Sequence, residues 1–408
     1  MLMDKYHERR SKFYDHIEGF WANLYGEEYA LYDMKLIGRQ EAAHIRLVTE
    51  RIGKVYSKMA SLLRKVPYET FLEMGYPEET ISFLRLKVHP AESVIARLDL
   101  IPYGDGYKCI EINSDTPTFI KELFHINGRI CKEFGAGNPN DGLEVQLYKA
   151  VQESIQQVSK GKAPHIVFTA HEDHIEDRET VQYLKQAVPS SKFTPLHKLQ
   201  IQRGVGLFDE NGVRIDILYR QTFPIENIIM DQDKDGNTIG LWLLELVEEG
   251  KLSILNPPSA FLLQNKAVQA VIWGLHEEGH PFFTEEEHKW VEDYFLPTYL
   301  EAEPFLKKQL PYVKKPAFGR EGDTVEIFSE NGRLMYADSQ KSYSEYTSVY
   351  QLYMEQPTVQ YLSEKGLQEG RLLLGSFLLN GKSSAFGYRV GGMITNNLSY
   401  YLPVGIGD

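Results

Sequence analysis

The chain has 408 residues, 42% apolar and 25% charged, which excludes a disordered chain and predicts two or three packed units. A net charge of -13 argues against a general nucleic-acid binder, whose phosphate contacts need a basic face, while permitting cationic partners such as polyamines. The only cysteines, Cys109 and Cys131, exclude a disulfide framework or a cysteine zinc cluster and suit a reducing compartment. The N-terminus is too charged for a signal peptide and no apolar run reaches membrane-spanning length, so a cytoplasmic protein with no membrane partner is expected.

Residues 1–90 read mostly as helix, because apolar residues recur three or four apart in IRLVTERIGKVYSKMASLLRKV with charges on the other faces. From residue 91 the texture changes. VIARLDLI and YKCIEIN read as strands, FIKELFHINGRICKEF as a helix, and GAGNPNDG as a loop. VQLYKAVQESIQQVSK is then a helix, HIVFTA a strand and RETVQYLKQAV a helix, an alternation that predicts an α/β layer with parallel pairing. GVGLFDENGVRIDILYR reads as a hairpin turning at Asn211–Gly212. From about residue 251, LLQNKAVQAVIWGLHEEG is a helix ended by Gly279, and Thr284 with Glu287 forms a capping box for the next. The last ninety residues read largely as strands.

Four short motifs are set aside. HEEGH (276–280) matches a zinc-protease pattern, but a helix capped at Gly279 leaves His280 outside it. DQDKDGN (231–237) begins like a calcium loop, yet its twelfth position is Trp242 instead of a glutamate. GKSS (381–384) lacks the first glycine of a P-loop, since residue 376 is serine, and Asn380–Gly381 signals a hairpin. HEDH (171–174) supplies too few ligands for a metal from one short loop.

The segment RLDLIPYGDGYKCIEINSD (97–115) is more pointed. Side chains alternate along strands, so Arg97 and Asp99 share a face, as do Glu111 and Asn113. A hairpin centred on Asp105 sets Asp99 opposite Glu111 and Arg97 opposite Asn113. Facing carboxylates repel unless a hard cation joins them, and two carboxylates with an amide oxygen suit Mg²⁺. On spacing alone a metal site and a solvated sheet edge are equally good readings. Further on, VKKPAFGREGDTVEIF (313–328) reads strand, glycine-flanked loop, strand, with Lys315 and Arg320 beside Gly319 and Gly322. Such a loop suits phosphate oxygens, although a hairpin with a basic turn has the same pattern. Lys266 (mid-helix in LQNKAVQA), Gln351 and Arg389 are each unremarkable singly.

Together these segments resemble the synthetase portion of glutathionylspermidine synthetase and its relatives, an ATP-grasp family. The resemblance rests on RLD, EINSDTPT, LYRQTFPIE, LNPPSAFLLQNKAVQAVIW, KKPAFGREGDTVEI, VYQLYMEQP and LGSFLLNGKSSAFGYRV, in family order. It implies an α/β (α+β) fold with an ATP-grasp-like nucleotide-binding domain over 251–408. A pre-ATP-grasp-like α/β domain with the metal cluster would occupy 91–250, behind a helical region over 1–90. It further implies Mg²⁺ ligands at Asp99, Glu111 and Asn113, and stabilisation of an acyl-phosphate and a tetrahedral intermediate by Arg97 and Arg389. ATP would be held by Lys266, Lys315 and a lid of Gly319, Arg320, Glu321 and Gly322, with Gln351 and Tyr353 at the adenine hinge. Glu172, Glu176 and Asp177 fall where the family receives its amine. The implied activity is ADP-forming acid–amine ligation between a small-molecule carboxylate and an amine, of which a thiol peptide and a polyamine are the pair the resemblance brings forward. The N-terminal cysteine amidase domain of the bifunctional relatives is not expected here. A nucleotide-binding protein without ligase activity and a small-molecule kinase are the alternatives, separated from a ligase by amine-dependent release of ADP.

Overall fold

The computed structural model describes residues 2–159, 163–320, 322–396 and 398–407, so Glu321 of the expected lid lies outside the described residues. The N-terminal region carries helices Leu2–Tyr14, Arg39–Leu63, Tyr68–Glu73 and Ile81–Leu84. The longest buries Ile45, Val48, Ile52, Val55, Tyr56, Met59 and Leu63 on one stripe, the three-and-four spacing of its sequence. Burying each such side chain contributes roughly 1.5–3 kcal/mol. This stripe lies across strands Gly366–Leu379 and Lys382–Gly391, and Gly53 permits the approach, because a Cβ there would stand 2.8 Å from Leu378 Cδ1.

Three larger sheets follow. One is parallel, in the order Ser253–Leu255, Ile217–Gln221, Ile166–Ala170, Lys192–Phe193. Its two central strands are buried at every position, as a sheet covered on both faces requires. A second, antiparallel sheet runs Tyr400–Leu402, Lys382–Gly391, Gly366–Leu379, Ile95–Tyr103, Gly106–Asn113. It joins residues 95–113 to residues 366–402, far apart in sequence. The third runs Thr298–Tyr299, Ser348–Leu352, Tyr312–Pro316, Glu326–Phe328, Leu334–Ala337, also antiparallel. The fold class is mixed α/β in several domains behind a largely helical N-terminal region, as expected for an ATP-grasp-like protein.

Several local expectations meet their structural counterparts. Asn380 and Gly381, at φ 48° and 80°, turn the hairpin between Leu379 and Lys382. The amide of Gly279 bonds to the His276 carbonyl and that of His280 to Leu275, a capped helix end that puts His280 outside the helix. Thr284 and Glu287 form the reciprocal capping box. The turn at Asn211–Gly212 exists, organised by Asp209, whose Oδ1 accepts the amides of Asn211 and Val213. Its flanks pair as the expected hairpin only briefly, through an antiparallel Phe208–Arg214 bridge with the Asp209 amide on the Val213 carbonyl and the Ile215 amide on that of Leu207. Gly206–Phe208 pairs with Gln200–Gln202, while Ile217–Gln221 is drawn into the parallel sheet, where its buried side chains find cover.

Asn256 couples two sheets. At the end of strand Ser253–Leu255, its Oδ1 accepts the amides of Val94 and Ile95 at 2.9 and 3.0 Å. Its Nδ2 donates to the carbonyls of Ile95 and Asp115 at 3.0 and 2.8 Å. Four backbone groups bond to this one amide, and of them the Ile95 carbonyl also accepts the Ser93 hydroxyl at 3.0 Å. Asn256→Ala should therefore lower unfolding free energy by roughly 2–5 kcal/mol, read from urea denaturation, because each orphaned group costs about 1–3 kcal/mol. A loss below about 0.5 kcal/mol would show that water replaces the amide at no cost.

Candidate active site

The 97–115 hairpin has the predicted pairing, reached by a different route. Its turn lies between Tyr103 and Gly106, which pair directly, and that register continues to Leu100 opposite Cys109. A bulge then inserts Ile110, and the register beyond it sets Asp99 opposite Glu111 and Arg97 opposite Asn113. On the other side of this strand Gly375 faces Asp99, and a Cβ there would press on Phe119 and on Arg97 Cδ at 3.1 and 3.2 Å. The missing side chain lets Arg97 lie flat along the strand.

Arg97 grips Asp99 with both arms of its guanidinium, Nε to Oδ1 at 2.7 Å and Nη2 to Oδ2 at 3.0 Å. Its Nη1 reaches the carbonyl and hydroxyl of Thr118 at 3.1 and 3.2 Å. Asn113 Nδ2 donates to Asp99 Oδ2 at 3.2 Å. Burial pushes the Asp99 carboxyl up, against the pull of Arg97. Burial would also raise Glu111, but Lys266, Lys315 and Arg97 together hold it down at about 2. Glu111 thus meets the cleft as a carboxylate, its side chain 26% exposed.

Two lysines face this strand from other elements. Lys266 is not mid-helix. It is the N-terminal flank of helix Ala267–Glu277, because Asn265 ends the preceding helix Pro258–Gln264 in extended geometry. Its Nζ donates to the Gly319 carbonyl at 3.0 Å and lies 3.5 Å from Glu111. Lys315 enters from strand Tyr312–Pro316, its Nζ on the carbonyl of the bulge residue Ile110 at 2.8 Å and on Gln351 Oε1 at 2.9 Å. Burial lowers the Lys315 ammonium to about 8, with Glu111 opposing and Lys266 assisting. Gln351 is buried, and its own amide donates to Gln269 and to Thr298 Oγ1. Its side chain therefore aims Lys315.

Above these groups Gly322 meets the segment after Gly391. A Cβ on Gly322, at φ 76°, would overlap the Ile394 side chain and stand 3.2 Å from the Thr395 carbonyl. Arg389 anchors that segment through Nη2 on the Asn396 carbonyl at 2.7 Å.

Arg97, Asp99, Glu111, Asn113, Lys266, Lys315, Gly319, Arg320, Gly322, Gln351, Tyr353 and Arg389 all line one open cleft, and Glu176 lines it too. Glu172 and Asp177 do not. Glu172 is exposed, 3.7 Å from His197, and Asp177 is buried against His174 at 3.1 Å in the first helical turn. Asp115 neither caps a helix nor joins the cleft. It forms a fully buried ion pair with Arg220, from the end of the central parallel strand. Sequence reading passed over Gln264, Gln269, Thr118, Tyr29 and Arg220. Gln264 and Gln269 lie within LLQNKAVQA beside Lys266, and that proximity was the available signal. Among the described residues no group of three or more His, Cys, Asp or Glu side chains is placed to hold a metal ion.

The profile of the glutathionylspermidine synthase preATP-grasp family matches residues 5–407. The chain belongs to this family. A Haemophilus influenzae protein named "Putative acid--amine ligase" is 23% identical over 320 residues, spanning 75% of this chain and 73% of that protein. A crystal structure titled as a "Putative gamma-glutamylcysteine synthetase" from Methylobacillus flagellatus KT covers 90% of this chain and 87% of its own. It has 11% identity and a TM-score of 0.42, a slight likeness.

The Asp115–Arg220 pair yields a structural prediction. Asp115→Ala strands a buried guanidinium and should cost about 3–5 kcal/mol, whereas Asp115→Ala with Arg220→Met should recover much of that loss. Urea unfolding of the wild type, both single variants and the double variant measures the coupling. Additive losses would mean that the pair does not interact.

Proposed function

We propose that this protein is an ATP- and Mg²⁺-dependent ligase that joins a small-molecule carboxylate to an amine, releasing ADP and phosphate. The observation that carries the reading is the meeting, in one cleft, of a cross-strand carboxylate pair, Arg97, Arg389 and two lysines beneath a glycine-flanked loop. Membership of the preATP-grasp family supports it. A nucleotide binder needs no facing carboxylates beside a second arginine.

The donor set fits Mg²⁺. Asp99 Oδ1 accepts from Arg97 alone and keeps a lone-pair direction, whereas Oδ2 accepts from both Arg97 and Asn113; Glu111 is ionised toward the cleft, and the Asn113 contact to Asp99 leaves its amide oxygen unused. Asp99, Glu111 and Asn113 would hold the ion, which when bound neutralises phosphate charge. Lys266 and Lys315 orient the ATP phosphates, and the 319–322 loop excludes water from the reacting groups. The substrate carboxylate attacks the γ-phosphorus, ADP leaves, and an acyl-phosphate remains. Arg97 and Arg389 stabilise the charge that builds on its acyl oxygen as the amine adds. Loss of phosphate completes the amide.

A screen of carboxylates against amines, thiol peptides and polyamines included, should show ADP release only when both are present, with the amide in the mass spectrum. ADP release with a carboxylate alone, giving a stable phosphorylated product, would make the protein a kinase. Glu111→Gln should cut Mg²⁺-dependent ADP release by about 100-fold or more while the protein keeps its native circular dichroism. Undiminished activity would remove Glu111 from the metal site.

Lys315 predicts a pH dependence. Its folded-state value of about 8 lies below the ordinary 10.5, so above about pH 8 the free protein presents a neutral amine. Binding an anionic phosphate there must bring a proton with it. Mg·ATP affinity should be level up to about pH 8 and then fall by up to about tenfold per unit, with proton uptake in calorimetry. A level affinity to about pH 9.5 would place the phosphates away from Lys315.

A further inference from the structure

An ammonium carries three donors, and Lys315 Nζ directs two of them at carbonyl oxygens, that of Ile110 at 2.8 Å and Gln351 Oε1 at 2.9 Å. The third is left for the cleft that Lys315 lines. This division holds only while Gln351 keeps its oxygen toward the lysine. A side-chain amide has two ends of opposite polarity, and a Gln351 turned over would set its NH₂ group against the ammonium.

Two buried side chains outside the cleft lining oppose that turn. Thr298 stands directly opposite Gln351 on the neighbouring strand and donates its hydroxyl proton to the Leu296 carbonyl at 2.8 Å. Its Oγ1 can then only accept, and it takes one Nε2 hydrogen of Gln351 at 3.1 Å. The other hydrogen goes to Gln269 Oε1. Gln269 is itself held one way round. Its Nε2 donates to the Tyr56 hydroxyl at 2.7 Å and to Cys109 Sγ at 3.7 Å, and that thiol gives its own hydrogen to the Glu111 carbonyl at 3.5 Å. A turned Gln351 would point its oxygen at two acceptors, a mismatch that is costly where water does not reach. Tyr56 belongs to helix Arg39–Leu63, so the N-terminal region takes part in setting the cleft.

Resting on the reading of Lys315 as a phosphate ligand, we propose that Thr298 and Gln269 are positioning residues for ATP: they hold the Gln351 oxygen on Lys315 and so leave one N–H of that lysine for the phosphates. Neither makes nor breaks a bond in the reaction. Burial and Lys266 favour the neutral form of Lys315, while Glu111, Cys109 and Asp99 favour the charged one. A turned amide would join the first group, so the lysine would release its proton at lower pH.

Mg·ATP affinity against pH, measured by calorimetry on the full chain, tests this in Thr298→Val, Thr298→Ser and Gln269→Met. Thr298→Val keeps the shape but lacks the hydroxyl, and it should weaken binding about tenfold near pH 7. It should also bring the alkaline fall in affinity to lower pH by about one unit. Gln269→Met should do both, and it carries the test alone if Thr298→Val does not fold. Thr298→Ser retains the accepting oxygen and should bind within about twofold of the wild type, with the alkaline fall in place. Losses uniform over pH, with that fall unmoved, would overturn the proposal, as would a Thr298→Ser protein as weak as Thr298→Val. The Cε resonance of Lys315 in ¹³C-lysine protein, identified by its absence from Lys315→Arg, reads the same midpoint without nucleotide. A midpoint that moves in Thr298→Val and Gln269→Met, beside a wild type that binds no Mg·ATP, would sink the nucleotide reading and leave the hold on Gln351 standing.

Discussion

The candidate site depends on one constraint, the register of the hairpin over residues 95–113. Asp99 and Glu111 face each other across two strands, an arrangement that cross-strand repulsion disfavours. The protein surrounds them with compensation. Arg97 clasps Asp99, Asn113 donates to it, and Lys266 stands beside Glu111. The bulge at Ile110 does two things at once, restoring the register that opposes the carboxylates and offering a carbonyl to Lys315. Each surrounding cation is placed by a different element, so the site exists only when several parts of the fold have docked.

That docking has identifiable joints. The hairpin pairs with Gly366–Leu379, Asn256 ties its first strand to the parallel sheet, and Gln264 accepts the amides of Ser114 and Asp115 just past its second. Lys315 arrives on the third sheet, and Gln351 and Gln269 fix its direction. Positive charge converges on Glu111 from Lys266, Lys315 and Arg97, which explains why it remains ionised despite desolvation. A site so arranged is prepared for polyphosphate and a divalent ion without large rearrangement of the strands, the preorganisation that phosphoryl chemistry rewards.

Much of this was legible in the sequence for physical reasons. Strand alternation put Arg97 and Asp99 on one face, and helix stop signals excluded HEEGH as a zinc motif. The register was read correctly from a turn centred on Asp105, although the turn sits earlier and the bulge makes up the difference. Bulges leave little local signal, so that agreement was compensation. Lys266 was misread as mid-helix because its neighbours are helical by pattern, and the break at Asn265 comes from tertiary contacts, its Nδ2 bonding the Met74 carbonyl at 2.9 Å. The Asp115–Arg220 pair and the Tyr29–Glu122 contact join residues 105 and 93 positions apart, beyond any periodicity argument. Glu172, Glu176 and Asp177 were grouped by an acidic run, but helical geometry turns only Glu176 into the cleft.

The account turns on an acyl-phosphate formed from a carboxylate in this cleft. Oxygen-isotope transfer tests that most directly: a substrate carboxylate labelled with ¹⁸O is converted with ATP and the amine, and the released phosphate is weighed. One labelled oxygen in each phosphate, in step with the amide formed, is the predicted result. Phosphate that carries only unlabelled oxygen, with amide still produced, would contradict it.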